Sequence, residues 1–230
     1  MITLMATTTI SRFWHRLRRV ERAFIEDRRA VAAVEFAFIV PLMLVVLFCT
    51  IDFSAGLASS RKVTLTASAL SDLTSEMPAS VNIAPIADSD LQNMFTAGIS
   101  IMNPYLQNSN TPVTAQISEI YVDSSLNATF QWSRAATFAA GATQATFGTS
   151  THNVGDPATA LPAALKVKQT YVILSEVSFT YVPITGYAGL MSTLGVNLSD
   201  VAYSRPRQAT CLVYNGIYPQ PTSNGSCPTP

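Results

Sequence analysis

The chain predicts an α+β fold: a long amino-terminal helix, transmembrane in its first half and amphipathic in its second, packed on a small antiparallel β-sheet head. Three observations carry this. Ala30 to Ile51 is an apolar run holding a single charge, Glu35. Behind it, apolar residues recur at helical spacing until Pro78. From Val113 onward the period changes to two. Helix-period sequence followed by strand-period sequence points to segregated elements, with the helix covering one face of a sheet.

The apolar run is the first element. At about 1.5 Å per residue, residues 30–51 extend roughly 33 Å, enough to cross the hydrocarbon core of a bilayer. Pro41 lies inside it, which membrane helices tolerate. Residues 1–29 form a basic leader: seven of the 14 Lys and Arg residues (Arg12, Arg16, Arg18, Arg19, Arg22, Arg28, Arg29) precede residue 30. By the positive-inside rule this leader is cytoplasmic and residues 52–230 are exported, giving a single pass through a membrane. With 14 acidic residues against 14 basic ones, the net charge of zero gives no pull toward nucleic acid.

The helix continues through residues 52–77. Val63, Ala67, Leu70, Leu73 or Thr74, and Met77 share one face, and Arg61, Lys62, Ser68, Asp72 and Glu76 lie elsewhere on the wheel, so one helix covers about 28–76. An exported head occupies 78–210. Within it, Asp88 to Asn103 predicts a second helix capped by Asp88 or Ser89, with Leu91, Met94, Phe95, Ile99 and Met102 on its apolar face.

Strands follow. Val113, Ala115 and Ile117 alternate with polar residues, and Asp123-Ser124-Ser125 suits a hairpin turn. In Leu126–Arg134, alternation places Leu126, Ala128, Phe130 and Trp132 on one face, which makes Trp132 a core residue rather than a ligand platform. Residues 135–160, rich in Ala, Thr and Gly, read as a surface loop. Strand pattern resumes at Thr170–Val182 and Leu198–Arg205, with a short helix or turn around Tyr187–Leu194 between them and a short edge at Cys211–Tyr214. Four strands with one polar face complete the head.

Motifs for catalysis are absent from the sequence. His15 and His152 are the two histidines, one in the leader and one in the loop, so neither a histidine triad nor a histidine metal cluster can form. There is no CxxC pair, phosphate-cradling glycine loop or HExxH motif. Asp52, Asp72, Asp123 and Glu176 are scattered and read as solvated surface charges. The expectation is a protein that is not an enzyme and carries no metal and no cofactor. Cys49 reads as a small hydrophobe inside the span. Cys211 and Cys227, in the tail 211–230, can close a disulfide in an oxidising compartment.

Glu35 is the candidate functional residue. A carboxylate near a helix amino end suits the macrodipole and can reach the interface. Within a bundle of membrane helices it needs a cation at its own depth. A neighbouring subunit's free α-amine supplies one if the leader is removed just upstream.

The stretch Asp27-Arg-Arg-Ala-Val-Ala-Ala-Val-Glu35-Phe36-Ala, with the apolar run behind it ending Ile51-Asp52-Phe53, resembles the TadE/TadG family, pilin-like proteins of the tight-adherence (Flp-type) pilus assembly system. Gln131-Trp132-Ser133, Tyr181-Val-Pro183 and Tyr203-Ser-Arg-Pro-Arg207 extend the similarity more loosely over residues 27–210. The resemblance implies a pseudopilin-like membrane protein with a periplasmic head. Its partners would be a prepilin peptidase and other pilus-assembly proteins or pilin subunits. Carried over by position, that peptidase cuts between Ala30 and Val31, leaving Glu35 and Phe36 fifth and sixth in the mature chain. The residue before the cut is generally Gly in the family and is Ala30 in this chain.

Two other readings stay open at the level of sequence. Gly56-Leu57-Ala58 can pass as a signal-peptidase site, giving a secreted protein that starts at Ser59, although the apolar run exceeds the usual 7–15 residue signal core. The head could also be a membrane-tethered binding or sensor domain. A mature amino terminus at Met1, Val31 or Ser59 separates the cleavage outcomes.

Overall fold

A computed structural model of the protein describes residues 28–79, 83–105, 112–183, 195–214 and 227. Most of the leader, with His15, lies outside the described residues. So do the expected element at Tyr187–Leu194 and most of the tail. The chain divides into two compact units, Met1–Phe53 and Ser54–Pro230.

Helix α1 runs Arg28–Ser75 and continues through Pro41. In the first unit its side chains lie almost entirely exposed: of residues 31–53, only Val40 and Asp52 are even half-buried. In the second unit the same helix shows a buried stripe of Ser59, Val63, Thr66, Ala67, Leu70, Ser71, Thr74 and Ser75. Of the two residues offered for the stripe's end, Thr74 is buried and Leu73 is 41% exposed. The Thr74 hydroxyl donates to Leu70 O at 2.7 Å, so a small polar side chain fits inside without an orphaned group.

The head contains β1 (Ile83–Ile86), α2 (Asp88–Met102), β2 (Val113–Val122), β3 (Ala128–Phe138), β4 (Thr146–Gly148), β5 (Thr170–Tyr181), β6 (Val196–Ser204) and β7 (Cys211–Tyr214). A five-stranded antiparallel sheet has the order β4-β3-β2-β5-β6. The main core lies between this sheet and the two helices: Val63, Ala67 and Leu70 of α1 and Leu91, Phe95 and Met102 of α2 meet Ile117, Phe138, Ile173 and Val177. Gly98 lets α2 approach closely, since a Cβ there would meet the Phe138 ring at 3.1 Å and Thr66 Cγ2 at 3.3 Å. The α1–sheet seam is pinned by hydroxyls. Ser71 Oγ donates to Ser204 Oγ at 2.7 Å, and Ser204 Oγ donates to Ser71 O at 2.9 Å.

Several expectations need correction. Helix α2 begins at Asp88, so its cap is Ala87, whose N–H donates to Asp90 Oδ2 at 2.9 Å. The Asp88 carboxylate turns instead to Tyr214 and Arg134. The strand at Cys211–Tyr214 is no edge of the main sheet: it pairs in parallel with β1, which alternation did not reveal.

Phe130 and Trp132 lie on opposite faces. Glu119 pairs with Trp132 and Ile120 with Phe130, leaving Gln131 as a bulge residue that inverts the alternation. Trp132 joins the helix-side core, and Phe130 joins a second cluster with Ile120, Leu174, Ala158 and Leu161 on the outer face.

The outer face is therefore not polar throughout. Nor is 135–160 simply a loop: its start completes β3, its middle forms β4, and its end folds back along β3. Gly155 N donates to Phe130 O and Ala158 N to Ala128 O, both at 2.8 Å.

Candidate functional site

Two carboxylates stand out, one in each unit. The first is Glu35. Ala30, Val31, Glu35 and Phe36 all lie within the first three turns of α1, because an apolar sequence free of glycine continues the helix from Arg28. Val31 and Glu35 are four residues apart and so occupy neighbouring positions on one face. Val31 is 48% and Phe36 69% exposed, and Glu35 is exposed between them. Among the described residues Glu35 makes no hydrogen bond or ion pair. The helix is long and apolar enough to cross a membrane. Thr50, one of the few polar residues in the apolar half, donates its hydroxyl to Val46 O at 2.7 Å and so carries no unsatisfied donor into an apolar surround.

The second is Glu119, which the sequence reading missed. It sits on β2 with Ile117 and Tyr121 on the helix-side face and is 1% exposed. Trp132 Nε1 donates to its Oε2 at 3.0 Å and Leu212 N to its Oε1 at 2.8 Å. Trp132 Nε1 also reaches Leu212 O at 3.1 Å. Burial, opposed by these two bonds, pushes the Glu119 carboxyl up to about 8. The group is therefore protonated at neutral pH, and it ties β7 to the sheet. Neighbouring Tyr171 is pushed up as well, first by its own burial and then by Glu119 and Tyr121.

The same corner holds the cysteines. Cys211, fully buried on β7, is joined to Cys227, with Cα atoms 5.8 Å apart, and packs with Tyr121 and Tyr171. Cys49 is free and exposed on α1.

The remaining acids divide by surroundings. Asp123 fits the hairpin turn, accepting from Ser125 N at 2.8 Å, Asn127 N at 2.7 Å and Asn127 Nδ2 at 3.0 Å. Its carboxyl is held below the ordinary range first by the Asn127 side chain, with burial opposing and the backbone donors of Asn127 and Ser125 adding to the lowering. Asp72 and Glu76 bind Arg207 at 2.9 and 2.8 Å on the surface.

Glu176 is not the isolated surface charge its sequence setting implies. Its Oε2 lies 2.7 Å from His152 Nε2, and the His152 ring stacks on Phe130 with centroids 4.1 Å apart. Among the described residues no group of His, Cys, Asp and Glu is arranged to hold a metal ion.

No curated protein and no solved structure matches the chain. A family model does match, over residues 30–70, which span the exposed apolar half of α1 with Glu35 and most of its buried stripe. That model is described as TadE-like protein, and this amino-terminal segment is accordingly TadE-like, in agreement with the resemblance that Asp27–Ala37 carries.

Proposed function

We propose that the protein is a pseudopilin-type membrane component that assembles or anchors a bacterial Flp (tight-adherence) pilus, and that it has no enzymatic role. In this reading α1 crosses the inner membrane through its exposed apolar half, the basic leader is cytoplasmic and the head is periplasmic. The observation that supports it most is the coincidence of three features on one helix: an exposed apolar length sufficient to span a bilayer, a single acid near its start, and the TadE-like match. The Cys211–Cys227 bond fits an oxidising periplasm.

Glu35 is the working residue. In hydrocarbon a lone carboxylate is costly unless paired, so it favours an arrangement in which a neighbouring subunit brings a cation to its depth. Cleavage by a prepilin peptidase between Ala30 and Val31 would create such a cation as a free α-amine, with Glu35 and Phe36 fifth and sixth in the mature chain. The partners would then be that peptidase and other pilus proteins or pilin subunits.

Glu35→Ala should lower piliation sharply while the head unfolds at its normal temperature. Normal piliation in this variant would overturn the assembly role. Mass spectrometry of the mature protein should find Val31 at the amino terminus; Met1 would remove the cleavage step, and Ser59 would remove the membrane anchor.

A further inference from the structure

The outer face of the sheet carries a cleft of about 360 Å³, lined by none of the residues that the pilus reading uses. Its wall is apolar, from Leu161, Leu174 and the ring of Tyr203; its lining carries the carboxylates Asp156 and Glu176 and the imidazole of His152, and no Lys or Arg. Each carboxylate has one oxygen engaged. Glu176 Oε2 takes the His152 contact at 2.7 Å and a long one from Gln116 Nε2 at 3.4 Å. Asp156 Oδ2 accepts from Asn153 N at 3.0 Å and Asn153 Nδ2 at 3.1 Å. Glu176 Oε1 and Asp156 Oδ1 accept nothing from the described residues.

The surroundings fix these groups in place. The His152 ring lies between Phe130 and Glu176, and the His152 backbone N–H donates to Ser150 Oγ at 3.1 Å, so the neighbour that contacts Glu176 is itself held in place. Tyr203 is raised above the ordinary phenol range by burial and then by Glu176, and so presents a neutral ring at neutral pH. An electron-rich ring, two part-free carboxylates and an aliphatic wall together complement a cation on an alkyl stem. An anion would meet two carboxylates with only His152, already engaged by Glu176, to offset them, and a neutral ligand would desolvate both carboxylates without adding a counter-charge.

We propose that this cleft binds a basic side chain, arginine or lysine, presented by a partner polypeptide, with Glu176 and Asp156 holding the cationic head and Leu161, Leu174 and Tyr203 covering its stem. The proposal goes beyond the pilus reading and does not depend on it.

The test uses the full chain in detergent micelles, titrated with N-acetyl-arginine methylamide and with its neutral isostere, N-acetyl-citrulline methylamide, and followed by NMR. The arginine probe should bind about tenfold more tightly than the citrulline probe, as expected for a charge-assisted contact. Glu176→Gln and Asp156→Asn should each reduce that preference, and the double variant should abolish it. Equal binding of the two probes would overturn the proposal, as would no binding of either or a preference that survives in the double variant. The two-probe comparison on the unaltered chain needs no variant, so a misfolded mutant cannot mask the answer.

Discussion

The exposed half of α1 and the head each place one glutamate among apolar residues, and they treat it in opposite ways. Glu119 is enclosed and given two backbone and indole donors, so its protonation is managed within the fold. Glu35 has no partner among the described residues and lies on a helix whose apolar side chains also face outward. An acid satisfied internally does structural work. One left open on an apolar surface needs an environment supplied by other molecules, a part the proposed function gives to lipid and a neighbouring subunit. The same contrast runs along α1 itself, which is helical over 48 residues but buries a stripe only after Phe53.

The largest effect that can break this comparison is pH dependence. A carboxyl shifted from 4.5 in the unfolded chain to about 8 in the head keeps its proton in the folded state across that interval. Its stabilising contribution is complete below about 4.5, declines as pH rises and is exhausted above about 8; the ceiling is on the order of 5 kcal/mol. Denaturant unfolding of the full chain in micelles between pH 4.5 and 8.5 should show this decline, and Glu119→Gln should flatten it. An identical slope in the variant would mean that Glu119 is not the group responsible.

Next comes a matched pair on α1. Leu70→Ala opens a cavity in a position with no exposure and should cost the head about 2–5 kcal/mol. Leu44→Ala, at a position 46% exposed, should leave head unfolding within about 0.5 kcal/mol. Comparable losses at both positions would erase the distinction between the two halves of the helix.

Arg207→Ala is the smallest. The Arg207 side chain bridges Asp72 and Glu76, tying the end of α1 to the segment after β6, while its backbone N–H, which the variant keeps, donates to Ser75 O at 2.9 Å. The pairs are more than half exposed, so the loss should be about 1 kcal/mol or less and should shrink further in high salt. A loss of several kcal/mol would show that this tie, rather than the buried stripe, fastens the helix.

Periodicity made much of this fold legible. Helix α1 ends one residue before the expected boundary, α2 covers its expected face, and the β2–β3 hairpin turns at Asp123 as the turn residues imply. What escaped depended on partners distant in sequence. Gln131 looks like any alternating polar residue, and only the register against Glu119 and Ile120 exposes the bulge that separates Phe130 from Trp132. β1 is four residues long and takes its partner from the carboxyl-terminal region, about 130 positions on, so no local pattern marks it.

The candidate sites divide in the same way. Glu35 was visible because a charge in an apolar run is conspicuous. Glu119 was hidden by its neighbours, although extending the β2 alternation from Ile117 through Tyr121 would have placed it on the core side. His152 and Glu176, 24 residues apart, meet only because the segment after β4 folds back over the sheet.

The central claim is that residues 31–53 reside in a bilayer while the head folds outside it. Alkaline carbonate extraction of membranes, with the retained polypeptide's amino terminus sequenced, tests this most directly. The account predicts a carbonate-resistant protein that begins at or before Val31 and keeps its apolar helix. A carbonate-soluble protein beginning at Ser59 would contradict it.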